Sequence, residues 1–317
     1  MALNIELVSR QETRQSIAEE VLSRVGGTPL LRLRRLTRSL PREVEVWAKA
    51  EWCNPTGSVK DRPAAFILRH GLAAGHLGGR KTLLDSTSGN MGIAYASFCA
   101  ALGIPVHLMV PANASSERLS LLRLLGARLT LTDPLEGADG ARIAALDEAS
   151  RDPEGYYYAD QYSNPANWQA HYQTTGPEIF QQSDGRITHL VAGLGTTGTL
   201  TGAGRYLRQA GSEALLVAVQ PDRPMHGLEG LKHLATSPLP AIFDPSLPDA
   251  TVTVRTEDAH AMALRLAAEE GLLVGVSAAA AIVAALEVAS GLERGVVVAI
   301  LPDSALKYLS EPFWREL

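Results

Sequence analysis

Apolar and polar positions follow two alternating rhythms along most of the 317-residue chain. Residues 43–51, EVEVWAKAE, alternate with the period of a strand, then give way to turn-formers and a helix-like run reaching about Leu72. KTLLD (81–85) reads as a strand, STSGN as a turn, and MGIAYASFCAAL as a helix that Gly103 ends. IPVHLMVP is the next strand. SSERLSLLRLLGA has the form of a capped amphipathic helix, with Leu119, Leu122 and Leu125 at helical spacing, and RLTLT is again a strand. THLVAG, LLVAVQ, TVTV and GVVVAIL follow, separated by further helix-like stretches. Strands alternating with helices predict an α/β fold with mostly parallel sheets and right-handed crossovers. In such sheets ligands sit beyond the carboxyl ends of the strands, so the strand-to-helix turns are where chemistry is expected.

A boundary is expected in RDPEGYYYADQYSNPANW (151–168), which is rich in Pro, Asn and Tyr and separates two α/β halves. The longest uncharged run, GLLVGVSAAAAIVAAL (271–286), is shorter than the ~20 residues of a membrane span. Gly275 and Ser277 also interrupt it, and a buried strand-turn-helix is expected there.

Composition narrows the function classes. Apolar residues make up 46% and charged residues 20%, enough to bury a large core. The net charge of −5 argues against a nucleic-acid binder. Cys53 and Cys99 have no paired-metal spacing and define no disulfide framework. With an N-terminus that lacks the basic start and apolar run of a secretory signal, they lead to the expectation of a cytoplasmic protein. Only five lysines occur (Lys49, Lys60, Lys81, Lys232 and Lys307), so an amine-dependent mechanism has few candidates.

Four turns carry candidate chemistry. In NPTGSVKDRPA (54–64), Ser58 and Asp61 have capping-box spacing and predict a helix from Val59, although Pro63 fits only a first turn. Lys60 then lies at a helix N-terminus, where the dipole and burial lower an amine's pKa, as carbonyl condensation requires. A surface lysine crossing the first turn would share that position. STSGN (86–90) enters a helix at Met91 and can cradle a carboxylate or phosphate, as well as being an ordinary capped turn. Gly193–Gly198 matches G-x-G-x-x-G, and Asp222 follows the next strand as a ribose-binding acid would, which keeps a dinucleotide-dependent dehydrogenase open. Yet Thr196, Thr197 and Thr199 crowd that loop with hydroxyls, which suits a terminal phosphate better than a bridging pyrophosphate. Ser277 opens an Ala-rich helix, either as a plain N-cap or as a hydroxyl aimed at a ring nitrogen. One cofactor accounts for all four turns: pyridoxal 5′-phosphate, with an aldehyde, a phosphate, a ring nitrogen and an amino-acid substrate bearing a carboxylate.

NPTGSVKDRPA, TSGNMGIAYA, DQYSNPANWQAHYQTTGPEI, GLGTTGTLTGAGRYLR and LEGLKH, in this order, resemble the cysteine synthase/cystathionine β-synthase family, fold-type II pyridoxal-phosphate enzymes, and within it the cysteine synthase B kind. The resemblance runs from about residue 25 to 310. It implies two three-layer αβα domains of the tryptophan synthase β type: a smaller mobile domain, 48–157, and a larger one, 1–47 plus 158–317, that binds the cofactor phosphate. It implies that Lys60 forms the internal aldimine and that Asn90 hydrogen-bonds the ring hydroxyl. Gly195, Thr196, Thr197, Gly198 and Thr199 match the phosphate cup, and Ser277 faces the pyridine nitrogen. Thr87, Ser88 and Gly89 match the loop gripping the substrate carboxylate, with Gln161 on the same side.

Three segments depart from the family pattern: Met91 stands in place of threonine, AAAA follows Ser277, and PDSALKYL (302–309) replaces a Gly-Asp-Arg-Tyr-like segment. They cluster at the substrate and ring-nitrogen faces, so they bear on which substrate is taken, and cofactor binding is still expected. The implied activity is β-replacement on an O-activated L-serine, such as O-acetylserine, with sulfide or another thiol through an α-aminoacrylate. That is a transferase of the O-acetylserine sulfhydrylase type, acting on small molecules as a homodimer with no nucleic-acid, membrane or metal partner. A serine/threonine dehydratase, or a cofactor-binding regulatory protein of weakened catalysis, remains the alternative.

Overall fold

The computed structural model describes residues 17–87, 89–310 and 312–315. The chain divides into two compact units. One comprises Ala64–Asp160 with the described part of the chain before Gly26, and the other Gly26–Pro63 with Gln161–Leu317.

Among the described residues the second unit holds a six-stranded sheet of β1 (Leu30–Arg32), β2 (Val44–Ala50), β7 (His189–Gly193), β8 (Leu215–Pro221), β9 (Ala250–Val254) and β10 (Gly295–Leu301). Its order is β1-β2-β10-β7-β8-β9. Only β1, the edge strand beside β2, runs antiparallel. Both faces of this sheet are covered, and the period-2 pattern separates them. Val191, Val217, Val219, Val297, Ala299 and Leu301 pack on one face with the helix Val276–Ser290. Leu190, Ala192, Leu216, Ala218, Val298 and Ile300 pack on the other with the helix Gly198–Gln209. Truncating one such residue, Ile300 for instance, to alanine costs about 2–5 kcal/mol. The Ala278–Ala281 run is wholly buried, and its short side chains let that helix lie close to the sheet.

The first unit holds a four-stranded parallel sheet in the order β5-β4-β3-β6. These strands are β3 (Thr82–Ser86), β4 (Val106–Pro111), β5 (Arg128–Thr132) and β6 (Tyr156–Tyr158). Strand β4 is buried along its length, whereas β5 is a largely exposed edge. Leu84 and Met109 pack against Ala141 and Ala145 of the helix Gly137–Arg151.

Several local expectations need correction. The helix after the Lys60 turn begins at Asp61, not Val59, which leaves Pro63 in its first turn. The capping box does not form, because the Asp61 carboxylate reaches back to the N–H and O–H of Thr56. Ser277 is not an N-cap: Gly275 holds that position and Ser277 lies inside the first turn. Before it, Val274 makes only an isolated bridge to Ser304 instead of a strand. Strand β6 lies inside the stretch expected to be a boundary, because its three tyrosines pair with β3. Among the described residues no helix is long and apolar enough to cross a membrane.

Candidate active site

In the second unit the site residues gather at the carboxyl ends of adjacent parallel strands, where the loops after β2, β10, β7 and β8 emerge. Lys60 sits on the turn after β2. That turn is closed by the Gly57 N–H donating to Asn54 O (2.8 Å), with Gly57 at φ +80°. The segment after β10 stitches it to the Ser277 helix. Val59 N–H donates to Pro302 O (2.8 Å), Ser58 bridges Asp303, and Gly275 N–H donates to Asp303 O (3.1 Å). Residues 302–304 thereby hold the lysine turn and the helix start of Ser277 together.

The Lys60 side chain is half-buried, and burial pushes its amine pKa down while the Asp303 charge opposes the shift. Among the described residues no side-chain hydrogen bond or ion pair holds that amine. Asp303 is fully buried and accepts the Tyr308 O–H. Asp61 is pushed up to about 6 by burial, against the hydrogen bonds from Thr56.

The loop after β7 leads into the helix Gly198–Gln209. Thr197, a β-branched residue, sits at φ +70°, a left-handed conformation that costs on the order of 1–3 kcal/mol. Its buried hydroxyl has no hydrogen-bond partner among the described residues. Thr196 accepts from the Asn167 amide (3.1 Å), which also donates to Gln161 O (2.7 Å). Gly195 must lack a side chain, since a Cβ there would lie 2.3 Å from Gly230 O. Gly230 in turn, at φ +87°, faces Ser277, whose Oγ is 4.0 Å from where its Cβ would stand. The first N–H groups of the helix have no intrahelical acceptors, and the helix dipole favours an anion before them. A strained threonine with an idle buried hydroxyl, bare backbone and a helix N-terminus together fit a phosphate group.

The remaining expected site residues belong to the first unit, at the carboxyl end of β3. The Thr87 hydroxyl accepts the N–H of Gly89 (3.0 Å) and of Gly92 (3.1 Å), which folds the turn tightly before the helix Asn90–Leu102. Asn90 is half-buried, and Met91 is buried. Ser88 lies outside the described residues. Arg118 is buried and packs over Gly89, its Cδ 2.6 Å from the position of an added Cβ.

A cluster of buried charges beneath the Lys60 turn escaped sequence reasoning. The Arg62 guanidinium makes paired bonds to Glu51 (2.7 and 2.8 Å) and to Glu178 (2.7 and 2.8 Å). Lys49 donates to Glu178 (2.6 Å), Thr28 O (2.5 Å) and Gln182 (2.9 Å). Burial alone would push both carboxyls up. Arg62 and Lys49 outweigh it, holding Glu178 at about 2 and Glu51 below the usual range. Asn167, His171 and Asp303 were also missed, although the first two lie in a quoted motif and the third in a segment noted as unusual.

The match to the pyridoxal-phosphate dependent enzyme family spans residues 21–303, so the chain belongs to that family, and its cofactor is pyridoxal 5′-phosphate. This removes the dinucleotide alternative; Asp222 pairs with Arg223 (3.2 Å) at the surface. The chain is 47% identical to the cysteine synthase of Aquifex aeolicus over 315 residues, covering 98% of this chain and 96% of that one. It is 42% identical to cysteine synthase B of Escherichia coli over 292 residues, covering 92% and 95%. Among solved structures, the cysteine synthase (OASS) of Entamoeba histolytica superposes with a TM-score of 0.88 at 30% identity, covering 93% of this chain and 90% of that one.

Proposed function

We propose that this enzyme replaces the β-substituent of an O-activated L-serine, O-acetyl-L-serine in the first instance, with sulfide or another thiol to give L-cysteine or an analogue. When bound, pyridoxal phosphate supplies an electron sink that acidifies the α-C–H of an attached amino acid and eases loss of its β-substituent. Lys60 would hold the aldehyde end, Gly195–Thr199 the phosphate, Ser277 the ring nitrogen and Asn90 the ring hydroxyl. Thr87, Ser88, Gly89, Met91 and Gln161 would receive the amino-acid substrate, the Thr87–Gly89 turn taking its carboxylate.

The observation that carries this assignment is the Lys60 amine: desolvated, without a side-chain hydrogen-bond partner among the described residues, and tied through residues 302–304 to the helix start bearing Ser277. Such an amine is available to bond to a carbonyl carbon and then, once displaced, to take the α-proton as general base. Ser277 offers the ring nitrogen a neutral hydroxyl, which cannot stabilise a pyridinium as a carboxylate would, and so favours elimination and replacement over transamination. Asp303 sets the charge around Lys60 without occupying its amine.

The test is product analysis. With O-acetyl-L-serine and sulfide the enzyme should release acetate and L-cysteine in equal amounts. Pyruvate and ammonia from L-serine, with no thiol requirement, would establish a dehydratase instead. A homodimer working in the cytoplasm completes the proposal. The family resemblance supports the dimer, and the free thiols of Cys53 and Cys99 are compatible with a reducing compartment. Light scattering of the purified protein checks the dimer.

A further inference from the structure

We propose that His171 is a positioning residue of the phosphate loop, accepting a hydrogen bond from the Thr175 O–H on Nδ1 and donating Nε2–H to Thr199, so that Thr199 commits its own O–H to the phosphate. This rests on the assignment of Gly195–Thr199 as the phosphate cup.

The short helix Ala166–Ala170 runs into one π-helical turn, His171–Thr175, of the wide kind that recurs at functional sites. This segment packs against the helix Gly198–Gln209 where Gly202 lets it approach. A Cβ at Gly202 would lie 2.0 Å from Trp168 O and 2.7 Å from the His171 Cβ. That close approach brings the buried His171 ring to Thr199, with Nε2 3.3 Å from its hydroxyl and Nδ1 2.9 Å from the Thr175 hydroxyl.

The direction of each bond follows from counting protons. A neutral imidazole has one donor and one acceptor nitrogen. A phosphate dianion offers acceptors only, so a threonine touching it must donate its single proton. The Thr199 oxygen can then only accept from His171, which places the proton on Nε2. Nδ1 is left with its lone pair, and Thr175 must donate to it. Burial, with the nearby Arg62 charge, holds the His171 pKa down at about 3, so the ring stays neutral and the direction does not change near neutral pH. Thr197 is the contrast within the same loop: among the described residues its hydroxyl has no hydrogen-bond partner to aim it.

The test compares binding of pyridoxal phosphate with binding of pyridoxal, which has the aldehyde and ring but no phosphate. His171→Leu should weaken pyridoxal phosphate about tenfold, the effect of one charge-assisted hydrogen bond, and leave pyridoxal unchanged. His171→Gln, whose amide can still donate to Thr199, should stay within about threefold of the parent. In a Thr199→Val background, His171→Leu should cost little more, since both changes break one chain. Equal loss for both ligands, full additivity, or a glutamine variant as weak as the leucine variant would reduce His171 to packing. Should the leucine variant fail to fold, nitrogen NMR of the wild-type holoenzyme decides: a neutral ring protonated on Nε2 is expected, and protonation on Nδ1 overturns the proposal. If Thr199→Val itself leaves the preference for the phosphorylated ligand intact, the assignment of the phosphate cup fails, independently of the result at His171.

Discussion

Lys49 and Lys60 lie in the same compact unit, and burial lowers the pKa of both amines, yet their partners differ. Lys49 is saturated. A carboxylate, a backbone carbonyl and a side-chain amide take its three protons, and Glu178 opposes the effect of burial. Lys60 has Asp303 as its charged influence and, among the described residues, no side-chain hydrogen bond. A lowered pKa therefore does not by itself mark a chemical amine. What separates the two is the partner set: an amine with every proton committed cannot leave its site to attack a carbonyl, and one with none committed can.

The largest effect expected from this contrast is at Lys60. Lys60→Ala should lower turnover by at least about 10³-fold and abolish the visible absorbance of the bound cofactor. The melting temperature of the cofactor-free protein should not fall, because the side chain removed has few partners. Retained visible absorbance would end the contrast. Lys49→Met should do the reverse. The absorbance and the turnover per folded molecule stay near the parent values, while stability drops by about 2–3 kcal/mol as Glu178 loses a buried charged donor. Chemical denaturation read alongside absorbance separates these two outcomes.

The carboxylates beside the two lysines sharpen the comparison through pH. Glu178 is depressed to about 2 from an ordinary 4.5. The unfolded chain binds its proton more readily, so its contribution is present above 4.5 and is lost as pH falls toward 2. Asp61 is raised to about 6 from 3.8, so its contribution is present below 3.8 and is lost as pH rises through 6. Glu178→Gln should flatten the acid limb of a plot of melting temperature against pH. Asp61→Asn should remove a smaller slope between about 4 and 6. Unchanged slopes would show that these carboxyls titrate alike in the folded and unfolded chain.

Much of the site was legible because its residues are local to strand ends. Lys60 and the Gly195–Thr199 loop each follow a strand that hydrophobic period identifies, whereas the strand expected before Ser277 is only an isolated bridge at Val274. The capping details were not legible. Ser58 and Asp61 have capping-box spacing, but Thr56 offers Asp61 two donors at shorter range than Ser58 does, and the carboxylate turns backward. Asn167 and His171 were invisible for a different reason. Each has one partner nearby in sequence, but the second comes only with the packing of their segment against the helix after β7: Thr196 for Asn167 and Thr199 for His171.

By itself the sequence determined the alternation of strands and helices, the mostly parallel sheets, and which turns carry hydroxyls, glycines and a lysine. These depend on interactions a few residues apart, which the order of side chains specifies directly. The tertiary structure decided which of Lys49 and Lys60 is committed. The Glu178 that holds Lys49 and Arg62 comes from far along the chain, and a charge taken out of water is stabilised only by whatever partners the fold delivers to it.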